Sequence, residues 1–254
     1  MQQQPSAGDR VVAGRNPVLE LLKTEEPIDR ILLQKGEQTG SLGRIAAAAR
    51  EKGIPVKSVA KEKLDALAPG VNHQGVAAVA AAYRYAELED LFAAAAETGE
   101  PPFFVLCDGI EDPHNLGAII RTADAAGAHG VIIPRRHGAG LTAAAVKASA
   151  GAAAHVPVAR VANLAACVDR LKERGVWVYA ADMGGENWCA VDYGGGAALI
   201  VGSEGQGVSR LLREKSDVVV GLPMYGRVNS LNASVAAALV MYEITRQRHG
   251  LSSL

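Results

Sequence analysis

From Phe103 onward the chain repeats one pattern: a short, uninterrupted apolar run followed by a stretch with helical spacing. The runs are Phe103–Cys107, Val131–Ile133, Val156–Val158, Val176–Ala180, Leu199–Val201 and Val218–Val220. A strand with one wet face alternates apolar and polar residues, whereas a strand that is apolar throughout needs helices over both its faces. Helices fit between the runs at Leu116–Ala126, Ala143–Ala150, Leu164–Glu173 and Ser209–Glu214, and Asn232–Arg248 closes the series. The pattern predicts an α/β domain of about 150 residues built on a parallel sheet.

A smaller αβ unit precedes it. Asn16 is expected to cap a short helix with Pro17 at its first position. Ile31–Leu33 (strand), Leu42–Lys52 (helix), Val56–Val59 (strand), Lys61–Leu67 (helix) and Val76–Ala82 (strand) follow. The acidic, alanine-rich segment Glu87–Glu100, ending at Pro101-Pro102, is expected to be a helix and a linker. The expected division is therefore 1–86, a linker at 87–101, and 102–254.

Of the 254 residues 49% are hydrophobic and 21% charged, which describes a globular chain and excludes a disordered one. The net charge of −1 gives no global sign of a nucleic-acid partner, so any such surface has to be local. Cys107, Cys167 and Cys189 lie far apart and form no C-x-x-C pair, which argues against zinc and against a disulfide framework. None of the six histidines pairs with another at metal-ligand spacing, so no metal is expected. The opening residues lack the basic-then-apolar pattern of a signal peptide, and no apolar run is long enough to span a membrane. A cytoplasmic protein without a membrane partner is expected.

Three segments carry candidate chemistry. The first follows the strand at Phe103: Asp112-Pro113-His114-Asn115-Leu116-Gly117, with Arg121 four residues further along the helix. Asn115 sits where a helix cap belongs. Arg121, in an otherwise apolar stretch, reads either as a surface charge or as an anion-binding side chain beyond a strand's carboxyl end. The second is Gly202-Ser203-Glu204-Gly205-Gln206-Gly207, whose glycines let a ligand approach the backbone. Glu204 reads equally as a helix-start carboxylate and as a fixed acceptor in a site. The third runs from Leu222-Pro223-Met224 to Asn229-Ser230-Leu231-Asn232, a strand-to-helix junction where side-chain polar groups and unpaired helix N–H groups concentrate.

Arg135, Arg136, Lys147 and Arg160 fall in a stretch, Ala125–Val168, that has no acid. They form a local basic surface suited to phosphate-rich partners. Gly138-x-Gly140-x-x-Ala143 imitates a dinucleotide fingerprint, but the next acid, Asp169, is too distant to hold a ribose. No G-x-S-x-G elbow and no phosphate-loop motif occurs, which disfavours covalent hydrolases and P-loop enzymes.

The blocks D-P-H-N-L-G-A-I-I-R, I-V-G-S-E-G-Q-G and L-P-M-Y-G-R-V-N-S-L-N-A-S-V-A-A-A-L, in this order, resemble the SpoU/TrmH family of RNA ribose 2′-O-methyltransferases. G-R-N-P-V-L-E-L-L and H-Q-G-V-A in the first half resemble the substrate-binding extension of the branch that methylates a guanosine in 23S ribosomal RNA. The resemblance implies an α/β trefoil-knot domain with a smaller amino-terminal RNA-binding domain, and a homodimer whose paired subunits complete each site. It implies S-adenosyl-L-methionine as cofactor, held by Gly202, Leu222 and Leu231 through their backbones and lying against Met224 and Ser230. By the same resemblance Arg121 acts on the ribose hydroxyl, with Asn115, Glu204, Ser230 and Asn232 as its catalytic neighbours. Because guanidinium is almost always protonated, Arg121 is better suited to bind phosphate and stabilise a developing alkoxide than to accept a proton. Arg15, Arg121, Arg135, Arg136 and Lys147 are the implied RNA contacts. A transfer-RNA substrate and a catalytically retired RNA-binding factor are the rival readings.

Overall fold

The computed structural model describes residues 10–24, 26–36, 40–81 and 84–250. The opening segment 1–9 and the end of the strand expected at Val76–Ala82 lie partly or wholly outside these residues. The chain divides into two compact units. One runs to Arg84 and takes in Gly140–Ala144; the other comprises Tyr85–Ala139 and Ala145 onward.

The amino-terminal unit is built from β1 (Val11–Ala13), α1 (Arg15–Lys23), β2 (Ile28–Gln34), α2 (Gly40–Glu51), β3 (Val56–Val59), α3 (Lys61–Leu67) and β4 (Val76–Ala80). Its sheet runs β1-β4-β2-β3, with β2 and β3 parallel and the other pairs antiparallel. Side-chain alternation assigns the two faces. Ile31, Leu33, Val76 and Ala78 pack with Val18, Ile45 and Ala49 of α1 and α2, while Leu32, Ala77 and Val79 pack with Leu64 of α3. Helix α1 starts at Arg15, one residue before the expected cap, and Asn16 makes no capping bond. Gly14 precedes it at φ 103, a conformation that a side chain would resist. The three-residue β1 is too short to leave a periodic trace in the sequence.

The second unit contains α4 (Leu88–Thr98), β5 (Phe103–Asp108), α5 (Pro113–Ala125), β6 (Gly130–Pro134), all but the first two residues of α6 (Ala143–Ala148), a tight turn at Ala152–Ala154, β7 (Val158–Val161), α7 (Leu164–Glu173), β8 (Trp177–Asn187), β9 (Ala197–Gly202), α8 (Arg210–Lys215), β10 (Val218–Gly221) and α9 (Ala233–Arg248). All six strands of its sheet, β10-β8-β9-β5-β6-β7, are parallel, as the unbroken apolar runs require. On one face Leu91, Val168, Leu171 and Leu212 pack against Leu106, Ile132 and Ile200. Alternate residues Val105, Ile133, Leu199 and Val201 are buried as well, and α9 packs against β9 and α5.

Four sequence expectations change. Segment 87–101 is not a spacer. Glu87 and Asp90 form a reciprocal capping box for α4, and Leu88 and Leu91 enter the second unit's core. The strand expected at Val156–Val158 is Val158–Val161, because Val156 is buried in the approach to the strand. Helix α5 begins at Pro113 with Asp112 as its cap, accepting from His114 N at 2.9 Å. Asn115 is thereby released from capping. Finally, β8 extends seven residues beyond its expected end at Ala180. Val219 pairs with Ala180 but Val220 pairs with Glu186, so Ala181–Gly185 bulge out of the ladder.

Candidate active site

Four segments leave the carboxyl ends of parallel strands: 108–115 after β5, 203–207 after β9, 222–232 after β10, and the bulge of β8. Ligands of open parallel sheets are bound at this edge. Gly202 permits the tightest approach. A Cβ there would lie 2.0–2.2 Å from backbone atoms of Gly207 and Val208, because the loop folds back until Gly207 N donates to Ser203 O at 2.8 Å. Asp108 Oδ2 accepts from Ser209 N at 2.7 Å and ties the end of β5 to the same loop.

Asn115, Glu204 and Asn232, one from each sequence block, form a closed hydrogen-bonded triad. Asn115 Nδ2 donates to Glu204 Oε1 at 3.1 Å, and Asn232 Nδ2 donates to Asn115 Oδ1 at 2.9 Å and to Glu204 Oε1. The opposite atom of the same amide, Asn232 Oδ1, caps α9 by accepting from Ser234 N at 3.0 Å and Val235 N at 3.3 Å. One side chain therefore fixes both the start of α9 and the carboxylate of Glu204. Of the two readings left open for Glu204, the geometry is that of a fixed acceptor.

The triad stands between two cavities that share Ser203, Glu204, Gln206 and Ala233. The smaller, about 240 Å³, is lined by Gly202, Leu222, Met224, Ser230 and Leu231, the five that the family resemblance implies, and by Asp182 and Met183. Sequence reasoning missed these last two, because nothing before the fold distinguishes the β8 bulge from ordinary strand. Among the described residues the backbone from Leu222 to Leu231 makes no hydrogen bond to the rest of the chain. Its N–H and C=O groups are available to a ligand, beside an apolar lining and the carboxylates of Asp182 and Glu204. That combination fits a flat heteroaromatic base and a cationic tail.

The larger cavity, about 730 Å³, is lined by Asp108, Asn115, Arg136, His137 and Asn163 among others. Arg136 is exposed and faces this space. Arg135 is partly engaged within the chain. Its Nε donates to Arg160 O at 3.4 Å, Arg160 Nη2 returns a bond to Arg135 O at 3.5 Å, and Arg160 stacks over Tyr85. These two arginines brace the ends of β6 and β7. Lys147 is exposed in the last turn of α6, and Arg15 lies in the other unit.

Arg121 is exposed on α5 and lines neither cavity. Its neighbour in sequence, Gly117, is fixed by packing, since a Cβ there would meet Ala145 O at 2.4 Å. Burial pushes the Cys107 thiol up to about 12, with Asp108 adding to it, so this cysteine beside the site is no nucleophile. Among the described residues no group of three or more His, Cys, Asp or Glu could hold a metal ion.

Residues 102–242 match the SpoU rRNA methylase family, and residues 11–86 match the RNA 2′-O ribose methyltransferase substrate-binding domain. YacO of Bacillus subtilis, named for the TrmH family of tRNA/rRNA methyltransferases, is 48% identical over 94% of this chain and 96% of its own length. The crystal structure of the SpoU methyltransferase AviRb from Streptomyces viridochromogenes, in complex with AdoMet, aligns with a TM-score of 0.61 at 27% identity, covering 96% of this chain and 92% of that one. An AdoMet-bound rRNA methyltransferase from Sinorhizobium meliloti aligns with a TM-score of 0.58 at 26% identity, over 96% and 88% of the two chains.

Proposed function

The chain belongs to the SpoU methylase family of S-adenosylmethionine-dependent RNA methyltransferases, and from that premise we propose that it methylates the ribose 2′-hydroxyl of a guanosine in 23S ribosomal RNA. The observation that carries the proposal is the Asn115–Glu204–Asn232 triad, which joins three strand ends into one wall between two cavities. The substrate-binding unit and the full-length alignment with an rRNA methyltransferase favour ribosomal over transfer RNA.

The smaller cavity suits the cofactor. Backbone groups of Gly202, Leu222 and Leu231 would hold its base and ribose, Met224 and Ser230 would lie against it, and Asp182 and Glu204 would offset its positive charge. Bound there, S-adenosylmethionine supplies an electrophilic methyl group. The larger cavity receives the target nucleotide, with Arg136 on a phosphate. Transfer would join the hydroxyl oxygen to the methyl carbon as the carbon–sulfur bond breaks, with the proton lost to solvent. A protonated hydroxyl is a poor nucleophile, so the site must stabilise charge growing on that oxygen.

We assign that task to Arg121, delivered from a second copy of the chain. Helix α9, against which α5 packs, exposes Val235, Leu239 and Tyr242 at 48%, 39% and 52%, spaced i, i+4, i+7 as one apolar stripe. An apolar stripe on a helix is a surface that a partner covers. A two-fold pair buries both stripes and gives each site an arginine from its neighbour.

Mixed dimers test this. Arg121→Ala and Asn232→Ala chains are each expected to be inactive. Refolded together they should regain about a quarter of wild-type transfer, since half the dimers carry one intact site. No recovery in verified mixed dimers would return Arg121 to its own chain's site or remove it from the reaction.

A further inference from the structure

The two amino-terminal segments singled out in the sequence, Gly14–Pro17 and His73–Ala77, meet in the fold. Gly14 N donates to Val76 O at 3.1 Å. Arg15 is held twice by one residue: its backbone N donates to Gln74 Oε1 and its side-chain Nε to Gln74 O, both at 3.1 Å. Gln74 sits at φ 50, a conformation costly for a residue with a side chain. Such strain persists only where neighbours over-determine it, and here they do. Gln74 N donates to Asn72 Oδ1 at 3.3 Å, Gly75 N donates to His73 Nδ1 at 2.9 Å, and the buried His73 ring places Nε2 3.0 Å from Asp65 Oδ1.

The network fixes Arg15 through Nε and leaves its two terminal nitrogens at a cavity of about 470 Å³. Lys35 and Lys61 line the same cavity and are exposed, without an ion pair among the described residues. Three cations thus face one carboxylate, Asp65, which His73 already engages. Val71, 53% exposed, presents an apolar surface on the lining, and Gln34 and Asn72 present amides there. Cations for phosphate, an aliphatic face for a base and amides for a base edge together describe a nucleotide.

Resting on the reading of this protein as an RNA methyltransferase, the geometry points to this cavity as the seat of one unpaired nucleotide of the RNA substrate. Arg15, Lys35 and Lys61 take its phosphates, and Val71, Gln34 and Asn72 take its base. The nucleotide must be unpaired, because a base stacked and paired in a duplex can present neither a face nor a free edge to the cavity.

The test uses the full chain with 23S ribosomal RNA fragments, in loop-bearing and fully paired forms. RNA affinity is measured against salt for the wild type, Lys35→Ala/Lys61→Ala and Arg15→Gln. The double variant is expected to bind loop-bearing RNA about tenfold more weakly, with its salt slope reduced by about 0.7 per removed cation. Its melting temperature and S-adenosylmethionine affinity should not change; Arg15→Gln should weaken RNA binding in the same direction. A folded, cofactor-binding double variant with wild-type RNA affinity and slope overturns the inference. So does an equal loss on fully paired RNA. If the wild type methylates RNA while the variants bind normally, this inference alone fails. A wild type that neither binds nor methylates RNA ends both.

Discussion

Asn232 is the side chain whose replacement separates the site's architecture into parts. Its Oδ1 caps α9 and its Nδ2 serves Glu204 and Asn115, so alanine and aspartate remove different halves. Asn232→Ala loses the cap, costing about 1 kcal/mol. It also loses two largely exposed hydrogen bonds at a net of about 0.5–1 kcal/mol together, since water replaces part of each. The expected total is about 1.5–2 kcal/mol, or a fall of roughly 3–8 °C in the second unit's melting temperature. Asn232→Asp keeps the cap, which a carboxylate fills well beside a helix N-terminus. It sets that carboxylate against Glu204, however, at a cost of roughly 1 kcal/mol for exposed charges in water. Two such carboxylates share a proton, so the pair holds it to a higher pH when folded than when unfolded. The aspartate variant therefore recovers stability as pH falls through the ordinary carboxylate range and loses it as pH rises. The alanine variant shows no such recovery. Urea unfolding at about pH 5 and about pH 8 reads both effects. Equal destabilisation of the two variants, without a pH dependence specific to aspartate, would refute the double role of this amide.

Three further outcomes follow from the geometry. Gly202→Ala forces a Cβ to within 2.0–2.2 Å of loop backbone; it should cost about 3 kcal/mol or more and abolish S-adenosylmethionine binding in calorimetry. At about pH 8 a thiol reagent should titrate one rapid equivalent, the exposed Cys189, and three after denaturation. Burial raises Cys107 to about 12 and Cys167 to about 11 and shields both. Two rapid equivalents would contradict the packing of β5 or α7. Glu243 accepts from Arg246 Nη2 at 2.7 Å, Arg246 Nε at 2.8 Å and Gln247 Nε2 at 2.8 Å. The Arg246 hydrogen bond, foremost, holds its carboxyl below the usual range. A depressed carboxylate stabilises the fold at neutral pH, and that contribution disappears as pH falls below about 4. Glu243→Gln should accordingly cost about 1–3 kcal/mol at neutral pH and progressively less in acid; a cost independent of pH would disprove the ionic origin.

The parallel sheet was legible because burial on both faces leaves a continuous apolar run, and all six expected strands begin within two residues of where β5 to β10 start. Cap positions were not. Asn16 and Asn115 have the right chemistry for caps, but Gly14 and the Asp112-Pro113 pair take those places, and local sequence does not rank such competitors. The five residues expected to line the smaller cavity come from the family resemblance; glycine and apolar–polar junctions by themselves mark only the loop and the strand-to-helix junction that carry them. Asp182 and Met183 could not be named, since only the pairing of β8 with β10 pushes them out of the ladder. Arg135 shows a further limit: its charge is plain in the sequence, but only the fold adds the bonds of its Nε and backbone carbonyl to Arg160, 25 residues away.

Methyl transfer to a ribose hydroxyl leaves a product that can be mapped to one nucleotide. The protein is incubated with labelled S-adenosylmethionine and unmodified 23S ribosomal RNA, and the labelled nucleotide is located and digested to its nucleoside. The expected product is a single 2′-O-methylguanosine, absent with Arg121→Ala. Label on a base, or no label on any ribosomal RNA, would overturn ribose methylation of ribosomal RNA; a 2′-O-methyl group found only on transfer RNA would keep the chemistry and replace the substrate.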